Sequence, residues 1–318
     1  MQYRGAIIDD YAGVARTAAD WSQIPEVTFQ TFSQPFGGRD KLIEALRGVS
    51  VLCLMRERSL ISRDVIEALP DLKIITSGGM RNAAIDIAAA DARGIVVCGT
   101  PSIGYTPGEL TIGLILELSR RIGYEDRQMK AGVPWQTTAG TGLSGRTLGV
   151  IGLGKVGAHV ARIAKAMDMD VIAWSQNLTE ERCKEAGVRK VTKEELLRQS
   201  DFVTIHVQLS PRTEKLIGAG CLEIMKPTAY LINTSRGQCV DEEALIVALR
   251  ERKIAGAGLD VFNEEPLPLD HPFRRLKNVV ATPHLGYATL DNYKVFYQGM
   301  VKNIRAWLDG QPINVMKP

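Results

Sequence analysis

Short apolar runs alternate with segments of helical periodicity along most of the chain. Five runs in the N-terminal third are typical of buried parallel strands, at residues 6–8, 27–29, 51–55, 72–75 and 95–98. Segments with helical spacing lie between them, at residues 41–47, 63–69 and 85–93. This alternation predicts an α/β fold in which a doubly wound parallel sheet carries helices on both faces.

The pattern breaks at residues 101–107, where Pro101, Gly104 and Pro107 indicate a hinge or crossover. A long helix is predicted next, from about Gly108 to Lys130. Alternation then resumes, with predicted strands at 148–151, 171–174, 201–207, 229–233, 257–261 and 279–281. Further helices are predicted at 193–198, 242–252 and, closing the chain, Leu290–Leu308.

Two domains are predicted, because 318 residues exceed what one core usually supports. A closing helix that no strand follows often returns to pack on the first domain. We therefore predict a discontinuous substrate domain, residues 1–101 with 289–318, around a nucleotide-binding domain at 102–288. The first part of the chain has no glycine-rich phosphate loop, whereas the second part has one.

That loop, GLGKVG, runs from Gly152 to Gly157 and includes Lys155 and Val156. Gly152 permits a tight turn, Gly154 lets a pyrophosphate approach the backbone, and Gly157 allows close packing of helix and strand. Taken alone, such a pattern is equally compatible with an ordinary Gly-rich turn. Here an apolar strand precedes it, and a helical segment and a second strand follow, so we predict a dinucleotide site at the helix N-terminus.

The position that discriminates between NAD and NADP is neutral. An acid about 20 residues after the glycines usually binds the ribose 2′-OH of NAD, but the second strand here ends in Ser175 and Gln176. Asp168 and Asp170 come before that strand, and Arg182 and Lys184 lie in the next helix. We predict use of both cofactors with modest discrimination. A preference for NAD above about a hundredfold, roughly 2.7 kcal/mol, would contradict this prediction.

Three further strand ends carry side chains suited to catalysis. Arg236 follows one strand, Asp260, Glu264 and Glu265 follow the next, and His284 follows the last. Ligands bind at the carboxyl ends of parallel strands, and arginine grips a carboxylate through two parallel hydrogen bonds. Each residue alone is compatible with an ordinary surface position. Three successive strand ends together favour a catalytic site.

The motifs GLGKVG, INTSRG, LDVFNEEPLP and TPHLG, in this order, resemble those of the D-isomer-specific 2-hydroxyacid dehydrogenase family. The resemblance covers nearly the whole chain. It implies a flavodoxin-like substrate domain, a Rossmann NAD(P)-binding domain, a cleft between them and commonly a homodimer. It also implies a catalytic triad of Arg236, Glu265 and His284.

The resemblance assigns further contacts to substrate and cofactor. Asp260 matches the acid that binds the nicotinamide carboxamide, and Val207, Thr234, Ser235 and Gly286 are expected beside the same cofactor. The segment Ser77, Gly78, Gly79 and Met80 resembles a loop whose backbone amides hold the substrate carboxylate.

The reaction implied is NAD(P)-dependent interconversion of a 2-oxo acid and its D-2-hydroxy acid. Arg236 would anchor the oxo acid, His284 would transfer the proton as general acid and base, and Glu265 would orient the imidazole. Formate is not expected as a substrate, because the formate dehydrogenases of the family carry Gln where Glu265 stands. No C-terminal regulatory domain is expected. The family also contains NAD(H)-sensing corepressors, which keep the triad, so a corepressor-like interaction protein is the alternative.

Charge, the N-terminal sequence, hydropathy and cysteine content argue against several other classes of protein. The net charge of +3 is small and not clustered, so nucleic acid is not an expected partner. The N-terminus lacks the layout of a signal peptide, and the longest apolar stretch, near 112–118, is too short to cross a membrane. Five scattered cysteines favour buried free thiols over disulfides or a metal site, and a cytoplasmic location: Cys53, Cys98, Cys183, Cys221 and Cys239.

Overall fold

The computed structural model describes residues 2–318 and separates into two compact units. One comprises the chain up to Ile103 together with Ala288–Pro318, and the other comprises Gly104–Tyr287. The bounds predicted from the sequence, 1–101 with 289–318 and 102–288, lie within two residues of these. Each unit is an α/β layer structure around its own sheet, as the alternating pattern predicts.

The first unit contains a five-stranded parallel sheet in the order β2-β1-β3-β4-β5, which is the flavodoxin-like order. Its strands are β1 (Tyr3–Ile8), β2 (Val27–Thr31), β3 (Val51–Leu54), β4 (Ile74–Ser77) and β5 (Val96–Gly99). Its helices are α1 (Ala15–Ala18), α2 (Arg39–Ala45), α3 (Arg63–Glu67), α4 (Ile87–Ala92) and the closing helix α12 (Leu290–Leu308).

The closing helix α12 belongs to the first unit, where it packs on β4, β5 and α1. Asn303 is fully buried on this helix, and its amide nitrogen donates to the carbonyl oxygen of Gly99 (2.8 Å) and to Thr76 Oγ1 (3.2 Å). Asn314 Nδ2 in turn donates to Asn303 Oδ1 at 2.9 Å. The C-terminal segment is therefore tied to the first sheet by hydrogen bonds as well as by apolar packing.

The second unit contains a seven-stranded parallel sheet in the order β12-β11-β10-β9-β6-β7-β8. Strands β6 to β11 follow the Rossmann order, and β12 extends the sheet beside β11. The strands are β6 (Thr147–Ile151), β7 (Asp170–Trp174), β8 (Arg189–Lys190), β9 (Phe202–Ile205), β10 (Tyr230–Asn233), β11 (Gly256–Leu259) and β12 (Val279–Ala281). The helices are α5 (Thr106–Arg120), α6 (Ile122–Lys130), α7 (Lys155–Ala166), α8 (Glu180–Ala186), α9 (Lys193–Gln199), α10 (Ala219–Glu223) and α11 (Glu242–Arg250).

Successive residues of the central strands supply two cores, one on each face of this sheet. Val150 and Ala173 pack with α5 and α7, whereas their neighbours Ile151 and Ile172 pack with α9 and α11. This alternation follows from the two-residue period of a strand. It explains why the strands read as continuous apolar runs: both of their faces are covered.

The prediction of a single long helix over residues 108–130 is wrong. The structure contains two helices, α5 and α6, and Arg121 between them has a left-handed backbone with φ of +54°. At the end of α5, the Arg121 N–H donates to the carbonyl oxygen of Glu117. The side-chain carboxylate of Glu117 accepts the N–H of Gly123 at 2.8 Å. The side chain of Glu117 thus caps the start of α6, which the apolar spacing did not reveal.

Within residues 2–318, no helix is both long enough and apolar enough to cross a membrane. The five cysteines are free; four are buried and Cys221 is partly exposed. Burial raises the pKa of the Cys98 thiol to about 11, and it also raises the pKa of Cys53.

Candidate active site

The glycine-rich turn connects β6 to α7 in the way that a dinucleotide-binding turn requires. Gly152 has φ of +97°, and a Cβ atom there would lie 2.7 Å from the carbonyl oxygen of His206. A Cβ on Gly157 would overlap the carbonyl oxygen of Gly152, so helix and strand pack closer than any larger residue permits. Glycine is therefore required at both positions by contacts inside the protein.

Gly154 differs, because a Cβ there would meet no atom within 4 Å. It is the N-cap of α7, and no side chain caps the amides of the first turn, which includes Lys155 and Val156. Uncapped amides and the helix dipole favour an anion at this point. The open space above Gly154 thus fits the pyrophosphate of a dinucleotide.

A cavity of about 440 Å³ extends from this turn along the carboxyl ends of the neighbouring strands. It is lined by Gly152 and Gly154, by Ser175 and Gln176 after β7, and by Val207 after β9. These predicted cofactor residues are thus brought together. The site lies where the strand order reverses, between β6 and β9, which is where ligands bind in sheets of this kind. The residues present fit a nicotinamide dinucleotide.

The turn after β10 holds Arg236 through a network that sequence reasoning missed. Asn233 Oδ1 accepts the N–H of Ser235 at 3.0 Å, and Asn233 Nδ2 donates to the carbonyl of Arg236 at 2.8 Å. The guanidinium of Arg236 donates to the carbonyl of Ser235 at 2.8 Å. Thr234 Oγ1 lies 2.9 Å from Thr111 Oγ1 of α5. An asparagine ending a strand is the signal that could have indicated such a turn.

Gly237 connects this turn to the next strand end. A Cβ on Gly237 would overlap the backbone carbonyl of Phe262 and would lie 2.6 Å from the amide nitrogen of Asn263. The Phe262 N–H donates to Glu265 Oε1 at 3.0 Å. The close approach of Gly237 therefore helps to set the backbone that orients the Glu265 carboxylate.

Glu265 and His284, two members of the triad that the resemblance implies, form a hydrogen-bonded pair. Glu265 Oε2 lies 2.7 Å from His284 Nδ1, and the exposed fractions of the two side chains are 25% and 15%. Since an ionised carboxylate only accepts, Nδ1 carries the hydrogen of this contact, and Nε2 is the basic nitrogen of the neutral ring. The backbone of His284 is left-handed, with φ of +56°.

Asp260 organises the turn on which His284 sits. Its side chain is fully buried, Oδ1 accepts Thr282 Oγ1 and the N–H of Leu285, both at 2.6 Å, and Oδ2 accepts the N–H of Gly286 at 2.8 Å. Burial raises the pKa of Asp260, and these hydrogen bonds oppose the rise. Asp260 and Gly286 are thus placed beside the histidine, and both carboxylate oxygens of Asp260 have partners inside the protein.

The other three histidines have different surroundings. Burial lowers the pKa of His206 to about 3, and its Nε2 lies 2.9 Å from Thr204 Oγ1. His271 Nε2 lies 3.4 Å from Glu242. His159 lies on α7, 3.0 Å from Arg162.

In the first unit, the loop after β4 contains the predicted carboxylate-binding segment. The N–H groups of Gly78 and Gly79 donate to the Leu54 carbonyl (3.1 Å) and to Thr100 Oγ1 (2.9 Å). Ser77 is fully buried and accepts from Asn82. In the described part of the chain, the N–H of Met80 has no such partner. Of the four residues predicted, Met80 therefore offers the amide that is not already used.

Comparison with known proteins agrees with a dinucleotide-dependent oxidoreductase of the α/β class. The family model for the NAD-binding domain of the D-isomer-specific 2-hydroxyacid dehydrogenases matches residues 112–286, more than half of the chain. The chain belongs to this family. The resemblance drawn from the motifs and the predicted fold of two parallel-sheet α/β domains are confirmed.

Three relatives illustrate the similarity. The glyoxylate reductase of Thermococcus litoralis is 39% identical over 282 residues, which cover 86% of this chain and 85% of the relative. The D-3-phosphoglycerate dehydrogenase of Methanocaldococcus jannaschii is 38% identical over 277 residues, and this chain spans about half of its length (52%). The crystal structure of a phosphoglycerate oxidoreductase from Vibrio cholerae superposes with a TM-score of 0.93 at 30% identity and covers 97% of this chain and all of its own.

Proposed function

We propose that this protein reduces a small 2-oxo acid to the D-2-hydroxy acid, or catalyses the reverse reaction, with a nicotinamide cofactor. The observation that carries the proposal is the Glu265–His284 pair, 2.7 Å apart, on a turn that the buried Asp260 fixes. A histidine whose Nδ1 is bound to a carboxylate has a defined orientation and a defined tautomer, in which Nε2 is the nitrogen that takes up or gives a proton. An isolated surface histidine would have neither feature.

Each residue of the triad has one task in this proposal. His284 Nε2 gives a proton to the carbonyl oxygen of the oxo acid and takes it back in the reverse direction. Glu265 orients the imidazole and stabilises its cation. Arg236 binds the substrate carboxylate and polarises the carbonyl, since a guanidinium matches a carboxylate in geometry and charge. In the first unit, the segment of residues 77–80 stays a predicted substrate contact, with the Met80 amide as its available donor.

The cofactor supplies the hydride when it is bound. The first turn of α7 and Gly154 would hold its pyrophosphate, and Ser175 and Gln176 would face the adenosine ribose. Thr234, Ser235, Asp260 and Gly286 stay predicted neighbours of the nicotinamide. A neutral residue at Ser175 admits either NADH or NADPH.

The first test replaces His284. We expect His284→Ala to lower kcat by about 10²–10⁴-fold, the usual contribution of a general acid or base, and to leave the Kd for NADH and NADPH within about twofold. Turnover would be followed by cofactor absorbance, and binding by calorimetry. His271→Ala is the matched control, because His271 also pairs with a glutamate in the same unit but should leave kcat unchanged.

Unchanged turnover in His284→Ala would overturn this mechanism. A panel of 2-oxo acids, comprising glyoxylate, hydroxypyruvate, pyruvate and phenylpyruvate, would define the substrate class by kcat/KM with each cofactor. The panel includes small acids because relatives of this chain are named glyoxylate reductase and phosphoglycerate dehydrogenase. Binding of NADH without turnover of any acid would instead favour the corepressor-like alternative. The homodimer and the cytoplasmic location stay predictions.

A further inference from the structure

The lining of the cavity beside the glycine-rich turn includes cationic side chains. Besides Ser175, Asn177 and Thr179, it contains Arg182 of α8 and Arg212, which lies in the segment between β9 and α10. Its lining residues include two arginines and no aspartate or glutamate. The sequence order gives no hint of this arrangement, because Ser175 and Arg212 belong to different βα units.

The end of β7 has a specific role in a dinucleotide site. The residue at the end of the second strand faces the adenosine ribose, and an acid there binds the 2′-OH and repels a 2′-phosphate. Ser175 occupies that end and carries no charge. A phosphate at the ribose 2′ position would therefore meet the hydroxyl of Ser175 instead of a carboxylate, in a cavity whose lining also contains two arginines.

The two arginines differ in how far they are already used. Arg182 donates to the Leu153 carbonyl at 3.3 Å and pairs with Glu185 at 3.1 Å, so its charge is partly balanced. Arg212 is exposed, and among residues 2–318 no side chain or backbone group forms a hydrogen bond or ion pair with its guanidinium. Arg212 is thus the cation of this cavity whose donors remain available.

The backbone around Arg212 is fixed, although its side chain is exposed. Thr213 Oγ1 accepts the N–H of Ser210 at 2.8 Å and donates to the Gln208 carbonyl at 2.6 Å. The N–H of Glu214 also donates to the Ser210 carbonyl, at 2.9 Å. This turn fixes the backbone at Arg212, which lines the cavity, so an anion bound by Arg212 does not have to order a flexible loop.

We propose that Arg212 and Ser175 form a binding site for the 2′-phosphate of NADPH, with Arg212 as the principal cation and Arg182 as a secondary one. The proposal rests on the proposed function, because it concerns the cofactor of the same site. It makes NADPH the preferred cofactor. Arginine is the side chain best matched to a phosphate, and an exposed site limits the preference to a moderate factor.

The test measures binding directly. Isothermal titration of the full-length protein would compare 2′,5′-ADP with 5′-AMP, which differ only in the 2′-phosphate, and NADPH with NADH. We expect the phosphorylated member of each pair to bind about tenfold more tightly, equivalent to about 1.4 kcal/mol. The difference should shrink as salt is raised, because the contact is ionic and exposed.

Three variants test which residues cause the tighter binding of 2′,5′-ADP and NADPH. Arg212→Ala should reduce the advantage of 2′,5′-ADP and NADPH to twofold or less while leaving the Kd of 5′-AMP and NADH within twofold. Lys184→Ala is the matched control, because it removes one exposed positive charge from α8 outside the cavity lining and should change neither ratio. Ser175→Asp should reverse the preference in favour of NADH.

Two results would overturn the proposal: equal binding of 2′,5′-ADP and 5′-AMP by the wild-type protein, or an advantage of NADPH that Arg212→Ala leaves intact. Failure of the proposed function would give different binding and turnover results. In that case neither NADH nor NADPH would bind, or both would bind and no 2-oxo acid would be reduced. Binding of NADH and NADPH with equal Kd and normal turnover would reject the phosphate site alone.

Discussion

At the scale of single residues, the geometry of the proposed catalytic groups depends on residues that need not touch the substrate. Asp260 fixes the turn that carries His284, and Gly237 brings the Arg236 turn against the backbone that orients Glu265. Arg236, Glu265 and His284 can be proposed as catalytic residues from the sequence, because each follows a strand. The supporting contacts cannot, because they join residues from different strand ends.

Replacing Gly237 tests how tightly that geometry is set. Gly237→Ala would force the backbone near Phe262 to move, since the added methyl group overlaps its carbonyl. We expect kcat/KM to fall by about 10–100-fold, because misplacement of a catalytic group by about 1 Å has a cost of this size. Overpacking should also lower the free energy of unfolding by about 1–3 kcal/mol.

Gly220→Ala provides the comparison, because a Cβ at Gly220 meets no atom within 4 Å and the same chemical change is made in the same unit. Steady-state kinetics and urea unfolding would be measured for both variants. If Gly237→Ala kept wild-type kcat/KM, the close approach to Phe262 would have no role in placing Glu265.

At the scale of secondary-structure elements, the strands are more predictable than the helices. Strands such as β3 and β9 are buried on both faces, so a continuous apolar run indicates them. The break between α5 and α6 is not predictable in this way, because α6 buries none of its residues and polar contacts fix where it begins. Likewise the short edge strand β8, Arg189–Lys190, is exposed and has no apolar signal.

The start of α6 gives a direct test of this explanation. Glu117→Ala removes the carboxylate that accepts the Gly123 N–H, and we expect a loss of about 1 kcal/mol of stability, as for other helix caps. Glu117→Gln keeps an oxygen acceptor and should lose less. Hydrogen exchange of the amides near Gly123 would detect local fraying, and protection in Glu117→Ala equal to that in the wild-type protein would show that Glu117 does not cap α6.

At the scale of the whole molecule, the alternating pattern predicts two parallel-sheet units but not how the chain closes the first one. The closing helix α12 is readable from its amphipathic spacing, and its lack of a following strand suggests a return to the first domain. Its attachment includes a buried amide network that no spacing reveals. Asn303 contacts Gly99 and Thr76, which are 204 and 227 residues away along the chain.

Asn303→Leu, which has a similar size, therefore tests what holds the C-terminal segment in place. The substitution leaves the Gly99 carbonyl and Thr76 Oγ1 without their present donor in a buried environment, and each unsatisfied group costs about 1–3 kcal/mol. We expect unfolding of the first unit at lower temperature and faster proteolysis of the segment after Ala288. Lys302→Ala, on the exposed side of the same helix, should change stability by no more than about 0.5 kcal/mol. Should Asn303→Leu be as stable as the wild-type protein, apolar packing alone would account for the attachment of α12, and the buried amide network would contribute nothing to joining the two ends of this unit.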